Sequence, residues 1–361
     1  MSDRPAVRDD LALMAGYHSP QVEVDIRLNT NEAPESPPED FRERLAAAVH
    51  DIEWHRYPDR SAAALRSRIA QLEGVEASQV FAANGSNEVL QSLCLAYGGT
   101  GRTVLTFEPT YALHAHIARV CGTRVIEGER DDDFALDLDS ATATIAAERP
   151  IITFLCSPNN PTGMVETRET VTRMLDAVQA AGGLLVVDEA YGQFAPWSAL
   201  ELLDESRPLV VTRTYSKTWS MAAARLGYLA GPSWVVEELE KVVLPYHLDA
   251  AKQLAGLIAL DYAEEMARRV AALVEERGRV VAALGDLGVQ QWPSAANFIL
   301  FRVPGRSGER VWQGLLDRSV LIRNCASWPR LDDCLRVTLG TRDEDDRFLA
   351  ALAEIIGGSN P

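Results

Sequence analysis

From about residue 79 the chain alternates short, continuous apolar runs with longer stretches whose apolar residues recur at helical spacing. "QVFAANGS" precedes "NEVLQSLCLAYGG", and "TVLTFEPTY" precedes "ALHAHIARVCG". "IITFLCSPNNPTG" leads to "ETVTRMLDAVQAAGG", after which come "LLVVDEAY" and "LVVTRTYSK". A strand wetted on one face alternates polar and apolar residues, whereas a strand covered on both faces reads as an unbroken apolar run. The pattern therefore predicts an α/β fold with a mostly parallel sheet between helices.

After Pro245 the texture changes. "LDAAKQLAGLIALDYAEEMARRVAALVEERGRVVAALGDLG" reads as a long helical stretch, expected to bend or break near Gly278. The runs "NFILFRV", "VLIRNCA" and "CLRVTLGT", the helix "ERVWQGLLDRS" and a last helix begun by a Thr341/Glu344 capping box predict a smaller α+β unit. The prolines of "RLNTNEAPESPPEDF" exclude regular helix near the start, which reads as an extended arm. The expected division is an arm over 1–30 packing with the small unit, a large unit over 31–245 and a small unit over 246–361.

Composition narrows the classes. The 361 residues are 47% hydrophobic and 24% charged, as expected of a globular protein with a sizeable core. A net charge of -17 argues against nucleic-acid or anionic-membrane partners. The five cysteines are scattered without a C-x-x-C pair and histidine is sparse, so neither a disulfide framework nor a metal site is expected. The acidic run Asp131-Asp132-Asp133 reads as a solvated loop. Neither a secretory signal nor a membrane-spanning run is present, which makes the cytoplasm the expected location.

Chemistry in open α/β sheets gathers beyond the carboxyl ends of strands. Four polar motifs stand at such ends: "NGSN", "SPNNPTG", "DEAY" and "TYSK". Lys217 lies at the mouth of an apolar strand, where burial or neighbouring cations would leave its amine neutral and able to condense with a carbonyl. Pyridoxal phosphate is the carbonyl cofactor that needs such a lysine, together with a carboxylate at its ring nitrogen and a nest for its phosphate. Asp188 is positioned to be that carboxylate. Gly85, Ser86 and Asn87, at a turn entering a helix, would offer N–H groups to a dianion, joined by Thr214, Ser216 and Arg225. Asn160 and Tyr191 could reach the phenolic oxygen, and Tyr111 could stack on the ring. A nucleotide-dependent dehydrogenase is disfavoured, since no G-x-G-x-x-G follows a first strand.

The ordered set "RYPD", "NGSNE", "EPTY", "SPNNPTG", "DEAY", "SK" with Arg225, and "CLRVTLGT" resembles the fold-type I, class I/II pyridoxal-phosphate aminotransferases, and among them the histidinol-phosphate aminotransferases. The likeness spans about Arg27 to Arg342. It implies that Lys217 binds the cofactor's aldehyde, with Asp188 and Tyr191 as its catalytic companions. It also implies a homodimer in which Tyr57 of "RYPD" reaches the neighbouring subunit's cofactor phosphate. Arg336 matches a carboxylate-binding arginine, while Arg323, Tyr17 and Asn31 lie where the family contacts substrate. Asn87 stands where Asp is usual. The implied reaction interconverts histidinol phosphate and its oxo counterpart, imidazole-acetol phosphate, with glutamate and 2-oxoglutarate as the other pair. Aromatic amino acids, or decarboxylation of threonine phosphate, are the alternatives on the same scaffold.

Overall fold

The computed structural model describes Pro5, residues 7–9, Leu11, Met14, Gly16 and residues 22–358. Strand β1 (Ile26–Leu28) leads through a proline-rich segment to α1 (Glu39–His50) and α2 (Ala63–Glu73). Then follow β2 (Val80–Ala83), α3 (Ser86–Tyr97), β3 (Thr103–Glu108), α4 (Leu113–Val120) and β4 (Arg124–Glu129). Next are α5 (Leu138–Glu148), β5 (Ile152–Cys156), α6 (Arg168–Ala181), β6 (Leu184–Asp188), β7 (Leu209–Thr214), β8 (Gly227–Ala230) and α7 (Ser233–Val242). The remainder comprises α8 (Ala250–Leu260), α9 (Ala263–Asp286), β9 (Gln290–Gln291), β10 (Phe298–Arg302), α10 (Gly308–Leu316), β11 (Val320–Asn324), β12 (Leu335–Thr338) and α11 (Arg342–Gly357).

The large sheet has seven strands in the order β2-β8-β7-β6-β5-β3-β4. All neighbours run parallel except β8, which is antiparallel to both β2 and β7. The continuous apolar runs have the predicted cause. In β6, Leu184 and Val186 pack with Val89, Leu93 and Val235 on one face, while Leu185 and Val187 pack with Met174, Leu175 and Ile145 on the other. Burying one such side chain stabilises by roughly 1.5–3 kcal/mol, so a strand with two covered faces tolerates no polar alternation. β4 escaped the pattern because its charged, half-exposed residues lie on the sheet edge. β8 escaped it because the segment before it looks helix-prone. Arg225 instead takes a left-handed conformation (φ 50°), which ends the 3-10 turn at Ala222–Ala224 and turns the chain back into the sheet.

The small sheet has the order β1-β11-β12-β10-β9, with β1 parallel to β11 and the other pairs antiparallel. Helices α9, α10 and α11 cover one face, where Val280, Leu284, Val311, Phe348 and Leu352 meet Ile26, Ile299, Phe301 and Val337. Thr341 and Glu344 form the expected capping box at the start of α11.

One feature differs from the sequence expectation. α9 runs unbroken through Gly278, because one interior glycine costs only about 1 kcal/mol and its apolar face is anchored on the small sheet. The chain breaks earlier, around Asp261. Beyond Pro245, Leu248, Ala255, Ala259 and Leu260 join Phe41, Leu65, Ile69 and Tyr228 in one cluster. α8 thus packs beside α1 and α2. Among the described residues no helix is long and apolar enough to cross a membrane.

Candidate active site

β2, β5, β6 and β7 deliver their polar motifs to a single cavity of ≈ 540 Å³, which β11 and β12 and the segment after β1 close from the other side. Of the residues singled out from the sequence, Gly85 lies just behind this cavity, Tyr57 lies away from it, and Tyr17 lies outside the described residues. The rest line it.

Lys217 follows β7 and is partly buried. Its Nζ donates to the Thr30 carbonyl at 3.0 Å and stands 5.8 Å from the centre of the Tyr191 ring. Burial, and then the positive charge of Arg336, lower its pKa from the usual 10.5 to about 7; Glu32 opposes the shift and Arg225 adds to it. The amine is thus substantially neutral near physiological pH, as a nucleophile or base must be.

Asp188 ends β6 and is buried. One carboxylate oxygen lies 2.9 Å from His114 Nε2, and the other accepts from Thr212 Oγ1 and the Ala190 N–H, each at 3.1 Å. The His114 ring is held in turn by stacking on Phe154 (4.7 Å between centres, 6° between planes) and by Tyr111 edge-on at 5.4 Å. The sequence reading missed His114. The available signal was its place three residues beyond Tyr111, in the first turn of the short helix α4.

The other end of the cavity is shaped for an anion. Gly85 caps α3, and the N-terminal N–H groups of that helix point toward the hydroxyls of Thr214 and Ser216 and toward Arg225, whose Nη1 donates to Ser216 Oγ at 3.2 Å. Gly85 has φ +80°, and a Cβ there would stand 2.8 Å from Arg225 Nη2. Gly227 is equally constrained: a Cβ would meet the Ser86 nitrogen at 2.4 Å, so β8 can press the start of α3 into place. Tyr111 OH donates to Asn87 Oδ1 at 3.1 Å.

Tyr191 OH accepts from Asn31 Nδ2 at 2.9 Å, and burial pushes its pKa up to about 12, against the influence of Arg336 and Asn31. It is therefore a neutral phenol with a proton to donate. Arg336 bonds Asn160 Oδ1 and the Asn29 carbonyl (2.9 Å) and stacks over Phe298. Arg323 sits directly opposite Arg336 across β11 and β12, with its guanidinium 5.1 Å over the Trp328 ring. Asn29, Thr30, Glu32 and Trp328 also line the cavity and were not singled out from the sequence. Tyr57 is 80% exposed and stacked on Tyr246 at 4.5 Å. The acidic run contributes nothing here; Asp132 pairs with Arg330 on the surface.

A neutral buried lysine, a buried carboxylate and an anion nest in one cavity are the donor set that pyridoxal phosphate requires. Residues 23–352 match the sequence profile of aminotransferase class I and II. The chain belongs to that family. This aminotransferase is 44% identical to the histidinol-phosphate aminotransferase of Frankia casuarinae, the match covering 99% of this chain and 92% of the relative. It is 43% identical to that of Mycolicibacterium smegmatis, over 99% and 95% of the two chains. Among solved structures, histidinol-phosphate aminotransferase from Sinorhizobium meliloti, in complex with pyridoxal-5'-phosphate, superposes with a TM-score of 0.84 at 24% identity, over 92% of this chain and 91% of that one. That likeness is one of fold. As a class I/II member the protein is a transaminase with pyridoxal phosphate as its cofactor.

Proposed function

We propose that this aminotransferase transfers the amino group of histidinol phosphate to 2-oxoglutarate, and that it works as a homodimer in the cytoplasm. The observation that carries the substrate reading is the pair Arg323 and Arg336. Directly opposed residues of an antiparallel pair project from the same sheet face, and both guanidiniums reach the cavity that holds Lys217. Two adjacent forks of N–H donors suit a phosphate on one substrate and a carboxylate on the other. The names of the Frankia and Mycolicibacterium relatives support the same choice.

When bound, pyridoxal phosphate supplies an aldehyde that condenses with amines and a ring that accepts the electron pair released at the substrate carbon. The chain's residues do the rest. Asp188, oriented by His114 and Thr212, would partner the ring nitrogen. Ser86, Asn87, Thr214, Ser216 and Arg225 would hold its phosphate, Asn160 and Tyr191 would bond its phenolic oxygen, and Tyr111 would cover its ring. Lys217 Nζ, with its pKa lowered to about 7, would take the proton from the substrate carbon and deliver it to the cofactor's former aldehyde carbon.

Tyr57, exposed and stacked on Tyr246, is placed to serve a neighbouring subunit rather than its own, which supports a two-fold dimer with reciprocal sites. Light scattering at assay concentration that returned a monomer would remove this assignment. The substrate reading is tested by single-turnover half-reactions with histidinol phosphate, phenylalanine and tyrosine. Histidinol phosphate should have the highest kcat/KM; a clear preference for phenylalanine would refute the substrate while sparing the cofactor chemistry.

A further inference from the structure

The loop between β11 and β12 is built rather than slack. Cys325 N–H bonds the Cys334 carbonyl at 2.9 Å across its base, and further turns bond Trp328 to Cys325 and Cys334 to Leu331. Leu331 and both cysteines are buried against Phe134, Trp292 and Leu300. At its tip the Trp328 Nε1 donates to the Thr110 carbonyl at 3.0 Å, which bridges the small sheet to the residue before Tyr111. Arg330 makes a second tie, to the carbonyl of Asp131 at 2.9 Å and to Asp132 at 2.7 Å. The Trp328 ring thus has a fixed place in the cavity wall, and Arg323 lies over its face.

The two arginines stand in different settings. Arg336 bonds Asn160 and acts on the Lys217 amine, so it belongs to the reacting end of the cavity. Arg323 is the neighbour displaced toward Trp328 and the Tyr111 loop. An aromatic face attracts a guanidinium and so fixes the plane in which its N–H donors lie. We infer that Trp328 is a positioning residue that sets specificity for a phosphate-bearing amine: it orients Arg323 toward the phosphate. This rests on the histidinol-phosphate reading above.

The test uses holoenzyme and two amines that differ only in the phosphate, histidinol phosphate and histidinol, in single-turnover half-reactions. Trp328→Leu removes the ring face and the N–H; Trp328→Phe retains a ring face alone. Trp328→Leu should raise KM for histidinol phosphate about ten-fold, and Trp328→Phe about three-fold, with the maximal rate retained. The kcat/KM for histidinol should stay within about two-fold of wild type, since the contact acts only on an anion. An equal loss for both amines would mark Trp328 as merely structural, and an unchanged KM for histidinol phosphate would overturn the role outright. Should Trp328→Leu fail to fold, the same split read in Trp328→Phe decides. A wild type inactive toward histidinol phosphate removes the substrate reading and this role with it; an active wild type whose variants show no split removes only the role of Trp328.

Discussion

The depressed pKa of Lys217 makes the apoprotein's stability depend on pH in a way one substitution isolates. In the folded chain the amine titrates at about 7, against 10.5 when exposed. Between these values the unfolded chain binds a proton that the folded chain does not, so stability rises with pH across that window. The lysine's cost is absent above pH 10.5 and fully present below about 7. A shift of this size corresponds to at most ~5 kcal/mol between the ends of the window, at ~1.4 kcal/mol per pH unit. Lys217→Met keeps the volume and removes the titration. It also loses the bond to the Thr30 carbonyl, but that loss is the same at every pH within the window and leaves the slope untouched. Urea unfolding of cofactor-free wild type and Lys217→Met at matched concentration, at pH 7, 8 and 9, gives the difference directly. Wild type should gain on the variant by about 1 kcal/mol per pH unit. Parallel stability curves would mean that the amine is solvated in the apoprotein, and the account of its neutrality would fail.

Two further substitutions probe neighbouring parts of the design. His114→Phe retains the ring stacked on Phe154 but leaves the buried Asp188 short of one partner; it should lower stability by about 1.5–3 kcal/mol and slow the half-reaction at unchanged substrate KM, and a variant equal to wild type in both would refute the positioning role. Asp345, buried between α9 and α11, has its pKa raised to about 7 by burial foremost and by Glu276, against the N–H of Gly340. Its stabilising contribution is complete below the usual 3.8 and is lost as pH rises through 7, so Asp345→Asn should gain in Tm relative to wild type between pH 5 and pH 8; a constant difference would sink that reading.

What could be read before the fold was known was local. An apolar run, a turn and a helix start are each encoded within a few residues, which is why Lys217, Asp188, Asn160, the Gly85–Asn87 turn and Arg225 could be singled out from motifs at or just beyond strand ends. The expected break at Gly278 failed for the complementary reason: glycine's small local penalty was outweighed by contacts from a distant sheet. His114 was overlooked because its meaning lies entirely in Asp188, a partner on another element of the sheet.

Hydrophobic periodicity thus specified by itself the element types, the covered sheet and the chemical inventory at its strand ends, because backbone geometry converts spacing into faces. Only tertiary packing decided that β1 joins β11 and so carries Asn29–Glu32 over the lysine, that Asn31 meets Tyr191, and that Arg336 meets Asn160. Those contacts join residues far apart in the chain, and their pairing follows from which sheet order buries the most apolar surface with every backbone group bonded, a property of the whole molecule that no short stretch contains.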